Sequence, residues 1–376
     1  MTAQELYTER MALINKALAL EPVERIPALY MGIAPAAKQM GVTMAQYCAE
    51  PDVALSATLD YVDKLGTLDG INLHPPTNMT WLLTAIWFSH ILTPGQELAE
   101  DDLWQVAEAE VMKPDEYKVL IDNGYEAFQQ LIFPRVIDLD FLAAGQKYLV
   151  ESGNGVYRTI EGRGYVPLSC GITTIPFEML CGARSMQEFF LDLYRRPDEV
   201  QAAMDVMVPD LIGLGVGTAQ LLGVPRVWLG GWRAASAMLA PKLWDRFVWP
   251  YYKTIANGLI DAGVTPIFHW DQDWTRDLAR LRELPAKSCA LNPDGMTDVR
   301  KAKEVLGDHM AIVGDVPSSI FAAGTPADVR EYVRSLVADV GPEGLILCPG
   351  CDAPINTKAE NMEAFAAACV EFGKGA

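Results

Sequence analysis

The chain has 376 residues, and 30 Lys+Arg stand against 49 Asp+Glu for a formal charge of −19. Half of it is hydrophobic and 21% is charged, a globular composition that excludes a disordered polar chain. Such an acidic balance argues against nucleic acid or an anionic membrane as the main partner. Residues 1–20 read as a leading helix with acids and bases throughout, without the basic and apolar regions of a secretory signal. Strand-like runs follow at Ile26–Ile33 and Gly70–Leu73. The stretch 75–162 is long for one connection and holds Trp81, Trp87, Phe88 and Trp104. Its most apolar part, Met79–Leu92, is too short to span a bilayer. We read 75–162 as a helical insertion forming a lid; plain helical padding is the alternative.

From residue 163 onward, apolar β-type runs alternate with amphipathic helical patterns. The runs are Tyr165–Ser169, Arg226–Leu229, Thr265–His269, Ser288–Leu291, Met310–Val313 and Gly344–Leu347. Thr275, Thr297 and Thr325 are N-cap candidates, and Gly263, Gly307, Gly341 and Gly373 are stop signals. Short buried strands separated by helices indicate parallel βαβ units. Two runs upstream and six downstream give the eight strands of a closed (β/α)8 TIM barrel. The expected architecture is one α/β domain over 1–376, with an N-terminal helix and the 75–162 lid over the barrel mouth.

In such a barrel, chemistry sits where strands end. Strand five opens as His269-Trp270-Asp271, and side chains two apart share a face. Strand eight ends in Cys348-Pro-Gly-Cys351. His, Asp and Cys from different strands suit a three-ligand zinc site with an open position. A redox CxxC is the rival reading of the cysteines, and a hydrogen-bonded structural residue that of His269. Seven scattered Cys suggest reduced thiols and a cytoplasmic setting. No GxGxxG after a strand, no GxxxxGK[ST] and no GxSxG elbow is present. Gly230-Gly231-Trp232-Arg233 ends strand four, where the glycine pair is a weak signal for a close turn.

The second half resembles the uroporphyrinogen decarboxylase superfamily, and within it the cobalamin-dependent methyltransferases. The resemblance is carried by Ile267-Phe-His-Trp-Asp271, the segment Asp298–Gly307, Ile312-Val-Gly-Asp-Val-Pro317, Leu347-Cys-Pro-Gly-Cys-Asp-Ala-Pro354 and Asn361. It spans residues 20–376, with its motifs after residue 225. The decarboxylase branch carries an Arg-rich segment after strand one to hold tetrapyrrole carboxylates; here Tyr30-Met-Gly-Ile-Ala-Pro35 has no Arg. The methyltransferase branch holds zinc with a His-x-Cys at strand five and a Cys in a Pro-Gly-Cys segment. His269 and Cys351 match that pattern, and Asp271 replaces the middle Cys.

A carboxylate in place of a thiolate hardens the metal and favours an oxygen ligand. What the resemblance then implies is a zinc-dependent methyltransferase. It would move a methyl group from a methyl ether, as in a methoxylated aromatic, to the cobalt of a corrinoid protein. The expected metal ligands are His269, Asp271 and Cys351, with Cys348 or Asp273 as replacements for Asp271. Trp81, Trp87, Trp232, Trp270 and Trp274 are candidate aromatic walls for the substrate, with ordinary packing as the alternative. Arg233 could hold a donor carboxylate or a corrinoid phosphate, or make a surface ion pair. A methylcobamide:thiol methyltransferase, a decarboxylase relative and a non-catalytic barrel that docks a corrinoid protein are the alternatives. The methyl donor, the corrinoid partner and the oligomeric state, a homodimer among the options, are not fixed by sequence.

Overall fold

The computed structural model describes residues 1–75 and 79–374. Its strands are β1 (Leu29–Tyr30), β2 (Gly70–Ile71), β3 (His90–Leu92), β4 (Gln105–Ala107), β5 (Val166–Pro167), β6 (Ile172–Thr174), β7 (Arg226–Gly231), β8 (Thr265–Trp270), β9 (Ala290–Pro293), β10 (Ala311–Val313) and β11 (Leu345–Ile346). All but β3 and β4 are parallel staves of a TIM barrel. One row runs β1-β2-β5 and the other β6 through β11 in chain order. The third stave changes partner as it climbs, because β5 pairs with β2 while β6 pairs with β7. From the sequence this stave reads as Tyr165–Ser169; it continues to Thr174, past a break over residues 168–171. The ring closes where Leu29 N donates to Leu347 O and Leu347 N to Pro27 O, both at 2.8 Å.

Alternation sorts the side chains into two layers. Leu29, Met31, Val166, Leu168, Trp228, Ile267, Ala290, Ala311, Val313, Ile346 and Cys348 form the inner core. Phe268, Trp270, Leu229, Leu291 and Leu347 face outward, under the helices. Leu13, Ile14 and Ala17 of the leading helix Ala3–Leu18 join the inner core. A capping box between Thr2 and Glu5 starts that helix. Thr325 caps its helix as the sequence indicated, with Asp328 completing the box. Thr297 does not: Asp298 is the N-cap of Val299–Leu306, while Thr297 Oγ1 accepts from Trp274 N.

Asp69, buried just before β2, accepts both arms of the Arg25 guanidinium at 2.7 and 2.6 Å and Ala28 N at 2.9 Å. Removing Asp69 leaves Ala28 N without its acceptor and Arg25, whose side chain is 34% exposed, to be rehydrated in part. Asp69→Ala should therefore cost about 1–2 kcal/mol of stability. Denaturant unfolding will measure it, and a loss near zero would contradict the assignment.

Within the stretch 75–162, of which residues 76–78 lie outside the described ones, two parts pack differently. The helix Thr80–Trp87 and the antiparallel pair β3–β4 place Leu83, Ile86, Trp87, Ile91, Trp104 and Val106 against the inner core. The helix Leu139–Gly162 instead packs along β5 and the helix Pro197–Leu222. That last helix is, by length and composition, the only one among the described residues apolar enough to cross a membrane; here it lies against the barrel.

Candidate metal centre

His269 is the inward residue near the end of β8, and Asp271 follows two positions later on the same face. Asp271 Oδ1 lies 3.3 Å from His269 Nε2. Cys351, on the turn after β11, brings Sγ to 3.9 Å from the same nitrogen. One ligand atom from each residue lies within 4.8 Å of the other two. Donors around a tetrahedral zinc stand about 3.4–3.7 Å apart, given its bond lengths. Among the described residues this is the one group of three or more His, Cys, Asp and Glu whose ligand atoms all lie within 4.8 Å of one another.

The imidazole is held from below and behind. Asn292 of β9 donates Nδ2 to Val313 O at 2.8 Å, which fixes its amide orientation. Its Oδ1 then accepts from Asn72 Nδ2 at 2.9 Å and faces His269 Nδ1 at 3.1 Å. Nδ1 must carry the proton, so Nε2 offers its lone pair to the centre. Trp228 stacks on the ring at 3.9 Å between centroids and donates Nε1 to Asn72 Oδ1 at 2.9 Å. Burial, the largest influence, disfavours the imidazolium, but Asp271, Asn292 and Asp294 together raise the His269 pKa above its ordinary value.

The centre is rich in negative charge. Burial pushes the Asp352 carboxyl up to about 6 and also raises Asp294. Burial likewise lifts the Cys351 thiol well above its usual range, with Asp271 and Asp352 adding to it. Asp352 Oδ1 is buried without a hydrogen-bond partner, and Asp271 Oδ1 faces only His269 Nε2, at 3.3 Å, which serves it as a donor only while that nitrogen is protonated. Unpaired buried acceptors are costly, and a divalent cation held with His269 and Cys351 would satisfy the Asp271 oxygen. The donors His269, Asp271 and Cys351 therefore fit zinc.

The other predicted site residues divide. Cys348 is fully buried in the inner core, with Sγ 3.5 Å from Asn72 Nδ2, and does not join the group of three. Asp273 turns away, accepting Thr275 N through Oδ1 at 2.8 Å. Both cysteines are free thiols. Trp270 is not at the mouth: its neighbour His269 faces inward, so it points out and stacks on Trp274 at 4.2 Å. Trp81 also lies outside, against Gly145 of the helix Leu139–Gly162, where a Cβ would stand 2.4 Å from the ring. Trp87 and Trp232 do meet, edge to face at 5.2 Å, with Trp104 beside Trp87 at 5.9 Å. The Trp232 ring folds over Gly230, where a Cβ would lie 2.3 Å from it, and Gly230 is the cross-strand partner of His269. The aromatic wall thus stands one stave from the imidazole.

Arg233 makes an ion pair with Glu108 of the insertion at 3.5 Å. Sequence reasoning missed Glu178. This fully buried carboxylate accepts the backbone N–H groups of Trp232, Arg233 and Ala234 at 2.8–2.9 Å and holds the loop that carries the Trp232 wall. Nothing local in Pro176-Phe-Glu178 signals that role. Asn72 and Asn292 could have been found from the parity of their strands, as inward polar residues beside His269.

Residues 142–372 match the family model described as uroporphyrinogen decarboxylase (URO-D). Curated relatives include the uroporphyrinogen decarboxylase of Syntrophotalea carbinolica, 25% identical over 373 residues and covering 93% of this chain and 94% of that protein. That of Geobacter metallireducens is 25% identical and covers 87% and 88%. Among solved structures, a methyltransferase from Methanosarcina mazei superposes with a TM-score of 0.73 at 17% identity, covering 96% of this chain and 98% of that one. That likeness is one of fold.

Proposed function

The chain belongs to the uroporphyrinogen decarboxylase family, and from that premise we propose that it is a zinc-dependent methyltransferase that takes a methyl group from a methyl ether to the cobalt of a separate corrinoid protein. The observation that carries this reading is the convergence of His269 Nε2, Asp271 Oδ1 and Cys351 Sγ within 4.8 Å of one another. Those three residues would hold the ion, and zinc bound there supplies Lewis acidity toward a substrate oxygen. The carboxylate of Asp271, where the methyltransferase branch has a thiolate, makes oxygen the preferred partner over a thiol sulfur.

The chain's own groups do the rest. Asn292 and Trp228 hold the imidazole with Nε2 forward. Trp87, Trp104 and Trp232 offer flat faces and edges to an aromatic ring and keep water from it. Glu178 fixes the loop that carries Trp232. We assign the segment within 75–162 that packs on the inner core as the lid of this site, and the seven cysteines fit a reducing, cytoplasmic setting. The decarboxylase reading is disfavoured because Tyr30–Pro35 is buried and uncharged, leaving no cation there for tetrapyrrole carboxylates.

The test mixes the zinc-loaded protein with cobalt(I) corrinoid protein and a panel of methyl donors, following cobalt methylation by absorbance. Methoxylated aromatics should react, and methanol should not. Methyl exchange only with a thiol would replace this reading with a thiol methyltransferase. Decarboxylation of a tetrapyrrole without any methyl transfer would reject both.

A further inference from the structure

Asp271 and Cys351 come from loops on staves that are not neighbours. The end of β9 and the loop after it, Pro293-Asp294-Gly295, lie between those two loops and touch both. Asp294 brackets Asp271: its N–H donates to Trp270 O at 3.3 Å, and its Oδ2 accepts Gln272 N at 2.8 Å. Asp271 N itself donates to Gly231 O at 2.9 Å. Gln272 is held at φ 73°, a left-handed conformation that costs a non-glycine residue energy and needs support from its surroundings. Thr297 adds to that support by donating to Gln272 O at 3.0 Å.

On the other side, Gly350 of the Pro-Gly-Cys turn rests on the Asp294 backbone. A Cβ there would lie 2.6 Å from Asp294 C and 2.7 Å from its O. The turn is anchored by Gly350 N donating to Val316 O at 2.8 Å and Ser318 Oγ donating to Cys351 O at 3.0 Å. The bridging loop is itself wedged, since Gly295 has φ 97° and a Cβ there would meet Pro317 at 3.0 Å. Asp294 Oδ1 accepts Met296 N at 2.8 Å. Both oxygens are thus committed to backbone donors, and Asp294 acts through its neighbours.

We propose that Asp294 is a positioning residue: by clasping the Asp271 loop and supporting the Cys351 turn, it sets the separation of two donors and so the strength and geometry of metal binding. The proposal rests on the metal reading above. The experiment strips the full chain of metal and titrates Zn2+ against a chromophoric chelator. Co2+ is titrated in parallel, with its ligand-field and thiolate charge-transfer bands recorded. Asp294→Ala should bind Zn2+ about tenfold or more weakly, and its Co2+ spectrum should lose tetrahedral intensity. Asp294→Asn, which keeps one acceptor, should fall between it and the parent. Asp298→Ala, which removes the N-cap of the following helix, should lower thermal stability without changing either metal readout.

If Asp294→Ala fails to fold, Gly350→Ala disturbs the same contact from the other side and should weaken Zn2+ in the same direction. A folded Asp294→Ala or Gly350→Ala protein with parent affinity and an unchanged Co2+ spectrum overturns the clasp, while metal binding by the parent keeps the function standing. A parent protein that binds neither ion overturns the function and the clasp together.

Discussion

His269→Ala and Cys351→Ala should each reduce bound zinc from about one ion per chain to nearly none, and methyl transfer by about a thousandfold, roughly 4 kcal/mol of barrier. Three donors, one on a strand and two on loops, are the least that holds zinc with a position left open. Losing the imidazole leaves Asp271 and Cys351, and losing the thiol leaves the 3.3 Å His269–Asp271 pair. Asn292→Ala should be milder, weakening zinc about ten- to a hundredfold, because it frees the ring orientation and tautomer without removing a ligand. Protons compete with the ion at Nε2 and Sγ. The folded His269 pKa is raised and the Cys351 thiol is pushed well up, so affinity should rise with pH as both sites deprotonate. Elemental analysis and zinc titration at several pH values check this. Full zinc content in both alanine variants would remove the centre from the molecule.

Period and parity carried most of what the sequence revealed. Eight apolar runs separated by helical patterns fixed the barrel, and the i, i+2 spacing put His269 and Asp271 on one face. The same parity rule, applied one residue further, would have turned Trp270 outward; Gly231, on the outward face beside it, would place a Cβ 2.8 Å from that ring. Trp81 erred for a different reason. Its partner is Gly145 in a helix about sixty residues away, and no local spacing reports a contact of that range. The CxxC spacing drew attention to both thiols but could not say that Cys348, two residues past β11, faces Asn72 in the inner core while Cys351, on the turn, faces His269. Glu178 was invisible because its partners are the backbone N–H groups of residues 232–234. Backbone donors leave no mark in a sequence.

The Asp271→Cys protein should keep its zinc and lose its reaction. Asp271 N stays bound to Gly231 O, and Asp294 still grips Gln272 N, so the new thiol starts from a fixed backbone. The longer zinc–sulfur bond makes up part of the shorter side chain. Affinity for zinc should be equal or greater, since thiolates suit this ion. What changes is the hardness of the metal. A second thiolate donates more charge, and the ion then draws less electron density from an ether oxygen. That effect is expressed as charge develops on the leaving oxygen, more than when the neutral ether binds. With a methoxylated aromatic, kcat should therefore fall about ten- to a hundredfold while KM shifts much less. The Trp87–Trp232 wall that would receive the ring is untouched. Methyl exchange with a thiol should rise in the same protein. Steady-state rates with both substrates, each with measured zinc content, decide the matter. If ether cleavage is unchanged in a zinc-replete Asp271→Cys protein, the carboxylate is not what tunes the metal, and the choice of oxygen over sulfur must lie in the aromatic wall.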